Sequence, residues 1–427
     1  MNDFSDFLSP TMNEIIRQVI FDQREQLATS PIIPRAIPQA LIDAPEILVI
    51  SGIRRCGKST LLRQIRESRS EQDFFLNFDD ERLLRFSVED FSLLHTIFIE
   101  LFGEQHTFYF DEIQNVPGWE RFVRRLVDAG NKVFVTGSNA TMLSRELGTR
   151  LTGRFVRHEL FPFSFAEFLE FRGNTVSKKD FYTTSGRAKL NAELNIFLKI
   201  GGFPQYIANR NDDLLKSLYE SIVYRDVLVR NHFSGERELL ELALFLASNT
   251  AKRFSYASLA KAVGLKHSET VKNYVEALES AYLITQIRKF DFSVKKQLAN
   301  TKKVYFADAA LIRKIGFNPT ENLGPIFENV VFTELQRRGK EVFYHAEKKE
   351  CDFVLREGVK IVEAIQASVT LKNPTTRDRE ISGLLDALET YALPSGTIVT
   401  LDEEATLSVN GKTVHIVSLA KWLLEQT

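Results

Sequence analysis

Residues Gly52-Ile53-Arg54-Arg55-Cys56-Gly57-Lys58-Ser59 fit the spacing G-x-x-x-x-G-K-[ST], which demands a strand before it and a helix after it. Both neighbours are present. The apolar run Ile47-Leu48-Val49-Ile50 precedes the glycines, and Leu61, Leu62 and Ile65 follow at helical spacing. The order has a physical cause. Glycines let the backbone wrap an anion without Cβ clashes. Backbone N–H groups then converge at a helix N-terminus, where the helix dipole also favours negative charge. The expected phosphate-binding set is Gly52, Arg54, Arg55, Cys56, Gly57, Lys58, Ser59 and Thr60. Lys58 would reach the β- and γ-phosphates of ATP, and Ser59 would ligate Mg²⁺. Thr60 reads as a packing or capping residue, and Cys56 as a small loop filler rather than a redox switch.

A second apolar run, Phe108-Tyr109-Phe110, ends in Asp111-Glu112. After such a loop, Asp111 is expected to serve Mg²⁺, and Glu112 to orient or deprotonate the attacking water. A third run, Val133-Phe134-Val135-Thr136, leads into Ser138 and Asn139. Asn139 or Ser138 would stand near the γ-phosphate; the competing reading is a helix cap. Arg145, Arg150 and Arg154 follow, and any of them could neutralise transition-state charge across a subunit boundary. Arg154 is taken as the candidate, against the reading of all three as surface or salt-bridge residues.

At 427 residues the chain has room for two to four domains. Apolar runs over 46–51, 73–78, 107–111, 132–136 and 155–160 alternate with helical patterns, which predicts a parallel sheet with helices on both faces. From 163 to 231 the pattern is helical, with a break at Gly201-Gly202-Phe203-Pro204. The weakest patterning, near 174–187 and 235, suggests linkers. Two cysteines exclude a disulfide framework, and the acidic start lacks a signal-peptide pattern. No uncharged apolar run is long enough to span a bilayer, so a soluble cytoplasmic protein with no membrane partner is expected.

The segments around Gly52–Thr60, Phe110–Gln114, Thr136–Asn139, Leu151–Arg154 and Phe161–Phe168 resemble the AAA-type ATPase domain of a bacterial and archaeal family. In that family the ATPase is joined to a largely uncharacterised C-terminal domain. Gly201-Gly202-Phe203-Pro204, Tyr224-Arg225-Asp226 and Tyr305-Phe306-Ala307-Asp308 resemble its C-terminal half. The resemblance runs from about residue 15 to the end. It implies ATP binding and hydrolysis but leaves the biological role open.

Three helical segments between 236 and 283, followed by strand-like runs near 283–290 and 302–306, have the order of a winged helix-turn-helix. The formal net charge of the whole chain is only -1. Between Ile284 and Lys303, however, six basic residues face one Asp. Duplex DNA is therefore the expected partner, through Lys295, Lys296, Lys302 and Lys303. Glu269, Glu276 and Glu279 on the third helix favour packing or protein contact instead.

Glu328 on a helix, Asp352 on a strand and Gln366 on the next strand resemble a restriction-endonuclease-like site, where acids hold Mg²⁺ and a lysine positions water. The third position departs from that pattern: Gln366-Ala367-Ser368 stands where acid-x-Lys belongs. Lys360 and Lys372 have the right parity but lie roughly 20 Å away along a strand. A retained fold with weakened or lost cleavage is expected.

The expected architecture is α/β. It comprises an AAA-type P-loop parallel sheet (1–162), a helical connector (163–235), a winged helix (236–303) and a degenerate restriction-endonuclease-like domain (304–427). The leading function is an ATPase, possible as a homo-oligomer, coupled to DNA binding. The alternatives are an ATP-dependent switch or scaffold for protein association and an ATP-gated Mg²⁺-dependent nuclease.

Overall fold

Ile47–Ser51 (β1) is buried at every position, as a strand is when it has neighbours on both edges and helices on both faces. In the computed structural model it lies inside a five-stranded sheet with Phe74–Asn77 (β2), Thr107–Asp111 (β3), Lys132–Gly137 (β4) and Phe155–Glu159 (β5). The order is β2-β3-β4-β1-β5 and every pairing is parallel. The structure describes residues 10–27, 33–138, 151, 153–317 and 322–425. It divides into one unit of residues 1–52 with 57–160 and another of 53–56 with 161–427.

Two consequences of the first sheet matter for function. The strand ending in Asp111 does not adjoin β1, because β4 lies between them. The polar end of β4 therefore stands between the loop after β1 and the acids after β3. Phenylalanines fill much of this unit's core. Phe91 stacks on Phe122 at 4.5 Å and Phe74 on Phe98 at 4.9 Å, within one core that includes Phe78, Phe86, Phe108 and Phe110. Stacked pairs of this kind add about 0.5–1.5 kcal/mol each beyond the burial itself. Arg121, Arg124 and Arg125 are exposed on the helix Trp119–Asp128.

The second unit begins with helices at Phe165–Phe171, Thr184–Ile200, Pro204–Asn209 and Asp212–Ser221, the last running into a π-helical turn at Ile222–Val229. The expected linker near 174–187 is shorter than predicted. Its polar residues are caps: Ser177 opens a short turn at Lys178–Phe181, and the Thr183 side chain accepts from Gly186 N. Helices Glu236–Ser248, Tyr256–Ala262 and Ser268–Ser280 then pack with Arg253–Phe254 (β6), Ile284–Arg288 (β7) and Lys302–Phe306 (β8), an antiparallel sheet in the order β6-β8-β7. A short helix, Val294–Ala299, occupies the β7–β8 connection.

The last part is a mixed six-stranded sheet. Glu341–Ala346 (β9), Glu350–Glu357 (β10) and Lys360–Ala367 (β11) run antiparallel, and Ser395–Thr400 (β12) then joins β11 in parallel. Ala405–Val409 (β13) and Lys412–Ser418 (β14) complete the order β13-β14-β12-β11-β10-β9. Helix Gly324–Arg337 precedes this sheet, and helix Pro374–Thr390 carries the chain from β11 to β12. Among the described residues no helix is long and apolar enough to cross a membrane.

Candidate functional site

The helix Lys58–Glu67 starts from Gly57, whose φ of +106° is one that L side chains rarely adopt. A Cβ there would stand 2.9 Å from Arg35 Nη1, the far end of a side chain that can shift, so it is the backbone conformation that calls for glycine. Lys58 is buried; its Nζ donates to the Gly52 carbonyl at 3.2 Å and lies 3.4 Å from Glu112 Oε1. Ser59 is exposed. The ammonium, the hydroxyl and the acids at the end of β3 thus converge at the carboxyl ends of the parallel strands, the usual place for a ligand in such a sheet.

Thr136, near the end of β4, ties the acids together. Its hydroxyl donates to Asp111 Oδ1 and accepts from Glu112 N at 2.9 Å. Burial, and then the neighbouring charge of Glu112, raise the Asp111 carboxyl above the ordinary range, while Thr136, Ser59 and Lys58 oppose the shift. Glu112 has φ +49°, a sparsely populated conformation for a non-glycine residue. Gln114 Nε2 and Ser138 Oγ both donate to its Oε2, the latter at 3.2 Å. The set can hold a triphosphate with its cation and keep a carboxylate beside the terminal phosphate.

Two members of this site are missing from the residues that the sequence singles out. Thr136 precedes the polar pair favoured there, although a hydroxyl inside an apolar strand is a usable signal. Arg35, also buried beside the loop, sits in an unpatterned segment that offers none. Asn139, Arg145 and Arg150 lie outside the described residues. Arg154 pairs with Asp128 at 3.0 Å. Arg54 donates to the buried Asp226 at 3.1 Å, and Arg55 to Gln205 at 3.1 Å, so these loop side chains are engaged by protein carboxylate and amide groups. Cys56 is buried.

In the second unit, Glu328, Asp352 and Gln366 do come together. Asp352 N donates to Gln366 Oε1 at 3.1 Å across β10 and β11. One expectation is corrected here. Lys303 cannot contact DNA as its charge suggests: it is 2% exposed, with Nζ 3.0 Å from Glu328 Oε1, 3.0 Å from Asp352 Oδ1 and 2.9 Å from Glu350 Oε1. It alternates on β8 with residues of the opposite face, and a net-charge count cannot see that parity. Burial works against its charge, but Asp352 and Glu328 outweigh it, and the ammonium titrates well above the usual lysine range. An ammonium therefore stands beside Asp352 and Glu328, supplied by a strand far earlier in the chain than Gln366-Ala367-Ser368. Glu350 and Glu380 also join the cluster, Glu380 by accepting from Gln366 Nε2.

The parallel sheet, the glycine loop and the paired acids define an AAA-type P-loop ATPase domain. A family model described as an AAA domain matches residues 44–169, and one described as a domain of unknown function matches residues 191–321. An uncharacterised protein of Methanocaldococcus jannaschii is 35% identical, with 96% of this chain and 95% of that protein covered. An uncharacterised protein of Haemophilus influenzae is 30% identical, covering 90% of this chain and 95% of its own length. The chain belongs to the family of AAA-domain proteins that these relatives represent. Among solved structures, the Thermotoga maritima RuvB Holliday junction branch migration motor is similar with a TM-score of 0.30 and 14% identity, over 65% of this chain and 92% of that one.

Proposed function

We propose that the protein binds ATP with Mg²⁺ on Gly52–Thr60 and hydrolyses it, and that its second half holds duplex DNA. The convergence of Lys58, Ser59, Asp111, Glu112 and Thr136 carries the first part. Lys58 would exchange Glu112 for phosphate oxygens, and Ser59 and Asp111 would hold Mg²⁺. Glu112, released from Lys58, would take the proton of the attacking water. Asn139 remains the proposed γ-phosphate contact, and Arg154 the proposed arginine donated to a neighbouring copy.

For the DNA half, the order helix, strand, helix, helix, strand, short helix, strand with the sheet β6-β8-β7 supports reading the region as a winged helix-turn-helix. The proposed contact is the wing rather than the third helix. On that helix Lys272 lies near Glu269 and Glu276, leaving the face acidic. On the wing, Lys295 and Lys296 are exposed and Lys302 is partly so. The proposed segments remain 1–162, 163–235, 236–303 and 304–427. Reversing both Lys295 and Lys296 to Glu is expected to weaken duplex binding at least about tenfold at moderate salt. It should also lower the slope of log affinity against log salt by about two. Fluorescence anisotropy with a labelled duplex reads both. Unchanged affinity and slope would favour the reading in which the winged region contacts protein.

A further inference from the structure

The connection between β7 and β8 turns the usual pattern of a helix inside out. Within Val294–Ala299, the residues Val294, Gln297 and Leu298 share one face. The amide is the buried member, 7% exposed, while Val294 and Leu298 are 65% and 54% exposed. Phe292, just before the helix, is 78% exposed. The segment is well anchored. Gln297 Nε2 donates to the Asp291 carbonyl at 2.5 Å, and Ser293 N donates to Asp291 Oδ1 at 2.8 Å. Phe290 is buried edge-on against Phe343 and Tyr391, each at 5.5 Å, and Phe292 meets Phe290 edge-on at 5.2 Å. The connection is therefore a fixed knob, with its amide used in internal bonds and its apolar groups presented to solvent. Apolar side chains gathered on a surface in this way mark a contact site.

The charges around the knob identify its partner. Lys295 and Lys296 stand on it and are exposed. Arg288 and Lys302, at the strand ends from which it springs, lie directly opposite each other across β7 and β8, a like-charge pair that is unfavourable by itself. Burial, and then Arg288 and Lys272, hold the Lys302 ammonium below the usual lysine range. Against these cations the knob carries one acid, Asp291, 3.9 Å from Lys296 Nζ. An anionic partner with an apolar interior satisfies both features. A bilayer and a stack of bases are both of that kind. A six-residue helix offers a bilayer little area, whereas a base step takes an apolar wedge of about this size.

We propose, building on the reading of this half as a DNA holder, that the knob is a wedge for duplex DNA: Phe292, Val294 and Leu298 enter a base step, and Lys295 and Lys296 seat on the flanking phosphates. The wedge unstacks the step and kinks the duplex, and the phosphate contacts offset the lost stacking. A step that is already unstacked costs less to enter, so a duplex interrupted by a bulge is the preferred ligand.

The test uses the full-length protein without nucleotide. A duplex with 2-aminopurine at its centre and a fluorophore pair at its ends reports unstacking and bending; a second duplex carries a central bulge. Binding by wild-type protein is expected to raise 2-aminopurine emission, to increase energy transfer between the ends, and to be about tenfold tighter on the bulged duplex. The triple variant Phe292→Ser/Val294→Ser/Leu298→Ser should lose all three effects but keep the slope of log affinity against log salt, because the lysines remain. Serine at exposed positions leaves the packing alone, and cooperative melting of the variant checks this. Wild-type binding with a full salt slope but no rise in emission, no added energy transfer and no preference for the bulge overturns the wedge and leaves the DNA reading standing. Binding to neither duplex overturns both. Unstacking that survives in the triple variant also overturns the wedge. So does capture by phosphatidylserine vesicles that the triple variant loses while its DNA binding stays unchanged, which assigns the knob to a bilayer.

Discussion

Lys58→Ala is expected to remove ATP hydrolysis almost entirely, lowering turnover by about 100- to 1,000-fold and weakening nucleotide binding as well. The ammonium is buried beside Gly52 and Glu112, so an alanine leaves no cation for the β- and γ-phosphates. Glu112→Gln should separate the steps. Its amide keeps the size of the side chain but cannot take a proton, so ATP binding should persist while turnover falls by about 100-fold or more. Loss of binding in both variants would mean that Glu112 holds the site together rather than acting on water. Binding by a fluorescent ATP analogue and phosphate release measured on the same samples distinguish the two.

The second large effect is on folding. Gly201 and Gly202 look like a flexible break between helices, but they are packed tightly. A Cβ at Gly202 would meet the Phe163 carbonyl at 2.3 Å, and one at Gly201 would meet Asp308 Oδ1 at 1.8 Å. Asp308 is also a partner in the junction, accepting from Gly202 N at 2.6 Å and Ala310 N at 2.8 Å. Neither neighbour can yield cheaply: one is backbone and the other a buried, hydrogen-bonded carboxyl. Gly202→Ala and Gly201→Ala are each expected to cost about 3 kcal/mol or more. Gly173 has a positive φ too, but nothing lies within 4 Å of its Cβ position. Gly173→Ala should therefore cost only about 1–2 kcal/mol, the left-handed strain alone. Urea midpoints for the three variants provide the comparison, and equal losses would contradict the packing account.

The nucleotide half is legible in the sequence because its chemistry is local. The loop, its strand and its helix are contiguous, and after such a loop Asp111-Glu112 end an apolar run that reads as a buried strand. What sequence patterns do not show is lateral order. That β4 stands between β1 and β3, and so places Thr136 between the acids and the loop, follows from pairing alone. The second half is less legible because its contacts are remote. The Asp308 carboxyl explains two glycines more than 100 residues earlier. Lys303 and Asp352 are 49 residues apart and meet only because β8 lies against the later sheet. Counting charge along 284–303 places Lys303 on a surface, whereas alternation along the strand puts it among acids. Linker residues near 174–187 mislead for a different reason: Ser and Thr mark caps as readily as loops.

The proposed coupling of ATP turnover to a grip on DNA within one chain is open to measurement. Its most direct test is steady-state phosphate release by the full-length protein, with and without saturating duplex DNA, alongside Lys58→Ala and the Lys295→Glu/Lys296→Glu double variant. Hydrolysis should be present, should rise severalfold with DNA, should vanish in Lys58→Ala, and should lose its DNA response while keeping its basal rate in the wing variant. Phosphate release no greater than that of Lys58→Ala, with or without DNA, would contradict the account.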